Sequence, residues 1–244
     1  MSLELYSILS VLYKSERKLP KMMNILESNR SLLAKLTSPE PPDRLVPVYF
    51  RVGFFGKLWE EELRGKRFII KKGTEYNLSV MIKKMEEQFS KKYGKNSIVV
   101  LTQNKKIEEY VLEDDKLYIQ IAGVVPYIKA ANAHLRLTMF DQNFNIDEFL
   151  FETAFSEEGK PVVDDLGSLM KKKTIYKTKN PFPYVENRIE VCQTTEIFLS
   201  PIENAIEIIT LQTSKIQSQL ESPVRINPLQ QALQGSVVPM VNPG

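Results

Sequence analysis

The chain has one cysteine, one histidine and one tryptophan in 244 residues, and these scarcities close off whole classes of chemistry. A lone thiol, Cys192, cannot form an internal disulfide, which fits a reducing compartment. A lone imidazole, His134 in Ala131-Asn-Ala-His-Leu-Arg-Leu137, has no second histidine with which to build a metal site or a nucleophile–base pair. At the expected start of a strand it reads as structural.

Long hydrophobic runs are missing too. The apolar start, Leu3 to Tyr13, is too short to span a bilayer, contains Glu4, and lacks both a preceding basic region and a small-residue cleavage site. A cytoplasmic protein is expected. Charge of one sign is not in excess: 33 basic against 30 acidic residues leave +3, which gives no reason to expect nucleic acid as a partner. No long Gly/Ser linker or fixed-period repeat appears.

What is present is ordinary for a folded chain, with 43% hydrophobic and 26% charged residues and enough length for one large domain or two small ones. Leu5, Ile8, Leu9 and Leu12, then Met22, Ile25, Leu26, Leu32, Leu33 and Leu36 recur at helical spacing on either side of a break at Lys18 to Pro20. They predict an antiparallel helical pair. Ser38-Pro-Glu-Pro-Pro42 ends it, because proline brings no amide donor and biases its predecessor away from helix.

The texture then changes. Tyr49 to Phe54 and Arg67 to Ile70 are short, rich in aromatic and β-branched residues, and bounded by glycines, so they read as strands. Leu78, Met81, Ile82, Met85 and Phe89 mark one amphipathic helix ending near Gly94. Further strands are predicted at Ile98 to Thr102, Leu117 to Pro126, Leu135 to Phe140, Glu148 to Phe155, Thr174 to Lys177 and Ile189 to Val191. Strands in succession without helical crossovers favour antiparallel sheets.

A last helix opens with a capping box, Ser200 with Glu203, and Pro201 at its first position. Ile202, Ile206, Ile209, Ile216 and Leu220 form a stripe that needs a partner helix. After a break at Pro223, a second helix around Leu229 to Leu233 runs into Gly235-Ser-Val-Val-Pro-Met-Val-Asn-Pro-Gly244. The fold class is therefore α+β: amphipathic helices (1–44), β-sheets (45–198) and a partial helical bundle (199–244).

Motifs that could carry chemistry reduce to structure. Arg51-Val-Gly-Phe-Phe-Gly56 lacks the Lys-Ser/Thr ending of a phosphate cradle and reads as a strand followed by a turn. Glu60-Glu-Glu62, Glu86-Glu87 and Asp114-Asp115 read as solvated charge. Lys171-Lys-Lys173 reads as protection of a strand edge, with an acidic partner or an anionic membrane surface as the alternatives. No metal, cofactor or covalent step is indicated. Binding of another protein is.

Several segments together resemble the guanine-nucleotide exchange region, the DOCKER domain, of the dedicator-of-cytokinesis family. They are Tyr49-Phe-Arg-Val-Gly-Phe-Phe-Gly56, Tyr118-Ile-Gln-Ile-Ala-Gly-Val-Val-Pro126, Phe149-Leu-Phe-Glu-Thr-Ala-Phe155, Lys172-Lys-Thr-Ile175, and Phe182-Pro-Tyr-Val185 with Arg188-Ile189. Leu199-Ser-Pro-Ile-Glu-Asn-Ala-Ile206 and Leu233-Gln-Gly-Ser-Val-Val-Pro-Met-Val-Asn-Pro-Gly244 complete the order.

The resemblance implies the end of a helical lobe A, a sheet-built lobe B and the start of a helical lobe C, together gripping a Rho-family small GTPase of Rac or cell-division-control type. It implies an exchange factor rather than an enzyme, acting in GTPase-mediated signalling to the cytoskeleton. Lobe B, through Phe182, Pro183, Tyr184, Val185 and Arg188, is expected to meet the first switch. The last helix is expected to meet the second switch, with Met240 beside it. The nucleotide sensor is Val241, with Val237 the second candidate, in a loop shaped by Gly235, Asn242 and Gly244. Pro243 and Val238 depart from the family pattern.

Mg²⁺ demands octahedral oxygen ligation at about 2.0 to 2.1 Å, so an isopropyl group pushed into its place lowers metal and nucleotide affinity together. The family pattern runs on past Gly244, so lobe C is expected to be incomplete, and a non-catalytic GTPase-binding or scaffold module is the alternative. Lobe A is the family's dimerisation element, so a homodimer is expected only of a longer protein.

Overall fold

The computed structural model describes residues 2–37, 46–94, 97–101, 112–129, 132, 135–136, 138–155 and 169–221. His134, the Pro-rich segment 38–45 and everything from 222 onward lie outside them. The described residues fall into two compact units, one within 2–151 and 175–194, the other within 152–174 and 195–221.

In the first unit, α1 (Ser2–Ser15) and α2 (Leu19–Leu36) pack against each other across a tight turn in which Arg17 adopts φ 55°. Pro20 falls inside the first turn of α2, where its missing N–H is not needed, so the helix begins at the break the sequence marks.

β1 (Val48–Phe55), β2 (Arg67–Lys72), β3 (Ile98–Leu101), β4 (Leu117–Pro126) and the inner parts of β5 (Ile146–Phe155), β6 (Met170–Phe182) and β7 (Arg188–Leu199) make the sheet. Its order is β1-β2-β7-β6-β5-β4-β3, and β1 also pairs β4. Six strands therefore close on themselves. β1 lies antiparallel between β2 (Val52 opposite Phe68) and β4 (Val52 opposite Ile121), and β4 reaches β5 through Val125 and Pro126. The ring closes through the β1–β4 pairing, with β2 joined to β7 at Phe68 to Ile70 and β4 to β5 at Val125 and Pro126. β3 is the exception to the antiparallel expectation: it runs parallel to β4, Val99 opposite Tyr118. The crossover between β2 and β3 that parallel pairing with β4 allows is α3 (Leu78–Tyr93).

Alternation along β1 explains its two-sided burial. Phe50, Val52 and Phe54 join Trp59, Met81, Met85, Phe89 and Ile119 in one core, whereas Tyr49 faces a second with Ile69, Phe149, Tyr176 and Phe182. The lone tryptophan fastens the turn after β1: Trp59 Nε1 donates to the carbonyls of Phe55 at 2.9 Å and Tyr118 at 3.3 Å. Gly56 sits there at φ 111°, where a Cβ would come within 2.7 Å of the Lys116 carbonyl oxygen.

α3 starts on an Asn77 cap, with the Val80 amide donating to Asn77 Oδ1 at 2.9 Å, and stops at Gly94, φ 92°. The predicted strand from Leu135 to Phe140 is not one. Thr138 and Asp141 form a capping box that opens the short helix α4 (Met139–Asn143), because a threonine followed three residues later by an acid satisfies helix N-terminal amides.

The second unit comprises the outer parts of β5, β6 and β7 and the helix α5 (Pro201–Glu221). Its cap is the one the sequence predicts: Ser200 N donates to Glu203 Oε2 at 2.8 Å and Glu203 N to Ser200 Oγ at 3.4 Å.

Candidate functional site

β6 and β7 form a hairpin whose tip, Pro183 to Asn187, follows a cis Phe182–Pro183 peptide bond. The tip separates the residues expected to meet a partner into two kinds. Phe182 is 1% exposed and packs edge-on against Tyr49 (5.5 Å between centroids) and Phe149 (5.6 Å). It is a core anchor with no surface to offer, which corrects its reading as a contact residue. Pro183, Tyr184, Val185 and Arg188 are exposed, Val185 by 95%. A side chain that apolar, that open and at the apex of a hairpin is available for burial by another molecule.

Beside the tip lies an open groove of about 780 Å³ between α3, β2 and the start of β7. Arg188 lines it, its guanidinium over the Phe68 ring at 5.1 Å, with Lys72, Lys84 and Lys91 on the same rim and Glu87 and Glu186 among them.

Two of the carboxylates considered for chemistry, Glu60 and Asp114, behave as charge partners. Glu60 takes the Lys92 ammonium at 2.5 Å and the Tyr93 hydroxyl at 3.2 Å, which hold its pKa below the usual carboxylate range. Asp114 pairs with Lys57 at 2.8 Å. Among the described residues no group of three or more His, Cys, Asp or Glu could hold a metal ion. No helix among them is long and apolar enough to cross a membrane.

The lysine cluster is not at an edge. β6 lies between β5 and β7, so a guard against edge pairing has nothing to guard. Its acidic partner is within the chain. Lys171 and Lys173, on one face of β6, are 15% and 14% exposed and meet both Glu207 of α5 and Glu152 of β5; Lys172, on the other face, pairs with Glu196 at 2.7 Å. With these ammonium groups engaged, an anionic membrane surface loses its reason.

α5 uses its polar side against these strands. Asn204 is 2% exposed and donates to the Leu169 carbonyl at 3.0 Å. The stripe at Ile202, Ile206 and Ile209 is 73%, 59% and 54% exposed. Asn204 stands in the Leu199 to Ile206 segment without an assigned role and Glu207 just beyond it, although the sequence holds a signal for the acid: lysines at alternate positions of a strand share a face and need an anion. Val237, Met240, Val241, Asn242, Gly235 and Gly244 lie outside the described residues.

The first strand of the hairpin, up to residue 181, falls in a stretch that a protein-family model matches, whereas its tip and β7 lie beyond that stretch, where relatives still match. Residues 104–181 match the family model described as DHR-2, Lobe B. The chain carries a DHR-2 lobe B of the dedicator-of-cytokinesis family. It is 30% identical over 243 residues to dedicator of cytokinesis protein 7 of Homo sapiens, covering 99% of this chain and 11% of that protein. To protein 6 of Mus musculus it is 33% identical over 203 residues, with 83% and 10% covered, and to protein 8 of Homo sapiens 33% over 202 residues, with 82% and 10%. The chain thus spans about a tenth of the length of these relatives. The family model covers only residues 104–181, whereas the relatives match over nearly the whole chain, so the likeness extends through β1 and α3.

Proposed function

We propose that this chain is the GTPase-gripping part of a guanine-nucleotide exchange factor for Rho-family small GTPases of Rac or cell-division-control type. The observation that carries the reading is the β6–β7 hairpin: β6 runs out of the DHR-2 lobe B match, which ends at residue 181, into a tip that Phe182 ties into the core and that presents Tyr184 and Val185 to solvent. Pro183, Tyr184, Val185 and Arg188 meet the first switch; Phe182 sets the angle at which they do so. The stretch from Gly235 to Gly244 meets the nucleotide site, with Val241 as its sensor and Met240 beside it.

The mechanism needs no covalent step. Switch loops are ordered by phosphate and Mg²⁺, so an apolar side chain occupying the metal's place, held there by contacts that lobe B makes elsewhere, trades nucleotide affinity for exchange-factor affinity. Each tenfold loosening takes about 1.4 kcal/mol of differential contact. Linkage makes the exchange reversible: incoming GTP with Mg²⁺ loosens the grip in the same proportion.

Release of a fluorescent guanine nucleotide from Rac-like, cell-division-control-like and Rho-like GTPases tests this. Accelerated release from one of the first two is expected. Binding without acceleration would make the chain a GTPase-binding module instead, and absence of both would refute the reading.

A further inference from the structure

Helix α5 docks by the wrong face for an amphipathic helix. Its apolar stripe stays exposed, and the contacts to the ribbon of β5, β6 and β7 are polar: Asn204 to the Leu169 carbonyl and, one turn on, Glu207 between Lys171 and Lys173. Glu152 of β5 completes a four-membered charge square, 3.8 Å from Lys171 Nζ and 3.7 Å from Lys173 Nζ. Two ammonium groups and two carboxylates balance there.

Apolar contact is non-directional and tolerates rotation of a helix about its axis. Charge-assisted hydrogen bonds do not tolerate it. A turn of one residue, ~100°, would withdraw Glu207 from two mostly buried lysines and Asn204 from its carbonyl, leaving buried polar groups unpaired. Burial alone would push the Glu207 carboxyl up, yet the hydrogen bonds from Lys173 and Lys171 outweigh it and hold the pKa below the ordinary value.

We propose that Glu207, with Lys171, Lys173, Glu152 and Asn204, is the positioning device of nucleotide exchange: the square fixes the rotation of α5, the helix that precedes Val241 in the chain. This rests on the exchange reading above. Glu207 touches no nucleotide; it acts through α5. The lysines that looked like a site for an external acidic partner are the internal seat of this helix.

The test uses the 244-residue chain and a Rac-like GTPase loaded with fluorescent GDP, comparing wild type, Glu207→Lys and the charge-swapped Glu207→Lys/Lys173→Glu, which restores two charges of each sign. Glu207→Lys is expected to slow release at saturating chain by roughly tenfold, worth about 1.4 kcal/mol, while the half-saturating concentration shifts by less than about threefold. The swapped variant returns the rate to within about threefold of wild type.

Hydrogen exchange follows the helix independently. Amides of α5 lose protection in Glu207→Lys and regain it in the swap, with β1 to β4 unchanged. Unchanged α5 protection in Glu207→Lys, loosened α5 with an unchanged release rate, or no recovery in the swap would each overturn the proposal. If Glu207→Lys fails to fold, Glu207→Gln, which keeps the shape and removes the charge, is read by the same criteria. Should wild type release no nucleotide, the exchange reading falls and takes the catalytic half of the proposal with it; α5 protection still decides whether the square seats the helix.

Discussion

Arg51 Nη1 donates to Gln120 Oε1 at 2.5 Å across β1 and β4, with both side chains buried inside the closed sheet. Arg51 Nε and Nη2 have no hydrogen-bond partner, and the guanidinium lies 5.6 Å from the centre of the Tyr176 ring. Burial lowers the Arg51 pKa; Tyr176 opposes that shift and Arg67 adds to it. Removing one partner of a buried polar pair costs far more than removing both. Gln120→Leu alone should destabilise by about 3 kcal/mol, because it strips an acceptor from a buried cation. Arg51→Met/Gln120→Leu should lie within about 1 kcal/mol of wild type. Urea unfolding at constant slope measures both, and a double variant as unstable as the single would refute the asymmetry.

Tyr49 gives a pH-dependent expectation. Its hydroxyl is buried without a hydrogen-bond partner, and burial pushes the phenol pKa well above its ordinary value. Above pH ~10 the unfolded phenol ionises while the folded one keeps its proton, so the folded state binds more protons and stability falls as pH rises, by about 1.4 kcal/mol per unit. Tyr49→Phe removes the group from both states. The variant should equal or exceed wild type at pH 7 and show a shallower loss between pH ~10 and ~11.5 in thermal or urea unfolding. Parallel alkaline limbs for the two proteins would contradict the buried, neutral phenol.

The hairpin separates stability from recognition. Phe182→Ala empties a site lined by Tyr49 and Phe149 and should cost about 3 to 5 kcal/mol. Val185→Ala and Tyr184→Ala, at exposed positions, should change stability by less than about 0.5 kcal/mol. Under the exchange reading those two weaken GTPase binding by roughly tenfold each, since an apolar side chain at an interface centre is worth about 1 to 2 kcal/mol. Denaturation and a binding titration on the same three variants separate the roles. Unchanged binding in both surface variants would move the contact elsewhere.

Much of this arrangement is visible in the sequence where a local rule acts alone. The Ser200/Glu203 cap, the α3 stripe ending at Gly94 and the aromatic, glycine-bounded strand at Tyr49 to Phe54 are each set within a few residues, and the structure has them. The short readings of β6 and β7, four and three residues against thirteen and twelve, have a common cause. Lys171 to Lys173, Lys179 and Glu196 look solvated in the chain and become strand residues because charged partners neutralise them. The strand expected at Leu135 to Phe140 is absent for the opposite reason: the cap of Thr138 with Asp141 overrules apolar composition and makes Met139 and Phe140 helical. Phe182 was misplaced because an aromatic at a strand end looks the same from sequence whether it faces core or solvent. Glu207 was missed because its partners are more than thirty residues away.

Val241 is where the proposed chemistry can be isolated. The isopropyl group is asked to fill space that Mg²⁺ and its oxygen ligands otherwise occupy, and a methyl group on the same backbone fills less of it. Val241→Ala should therefore slow nucleotide release by at least about tenfold, while the concentration needed for half-saturation stays within about threefold, because lobe B contacts elsewhere are untouched. Val237→Ala, four residues earlier in the same stretch, should stay within about threefold of wild type in rate. By reciprocity, Mg²⁺ with GTP should displace wild-type chain from the GTPase more effectively than it displaces Val241→Ala, since the variant competes less with the metal. Stopped-flow release and displacement titrations measure both. Equal losses in the two valine variants would point to the backbone of the loop rather than one side chain, and no loss in Val241→Ala would remove it as the sensor.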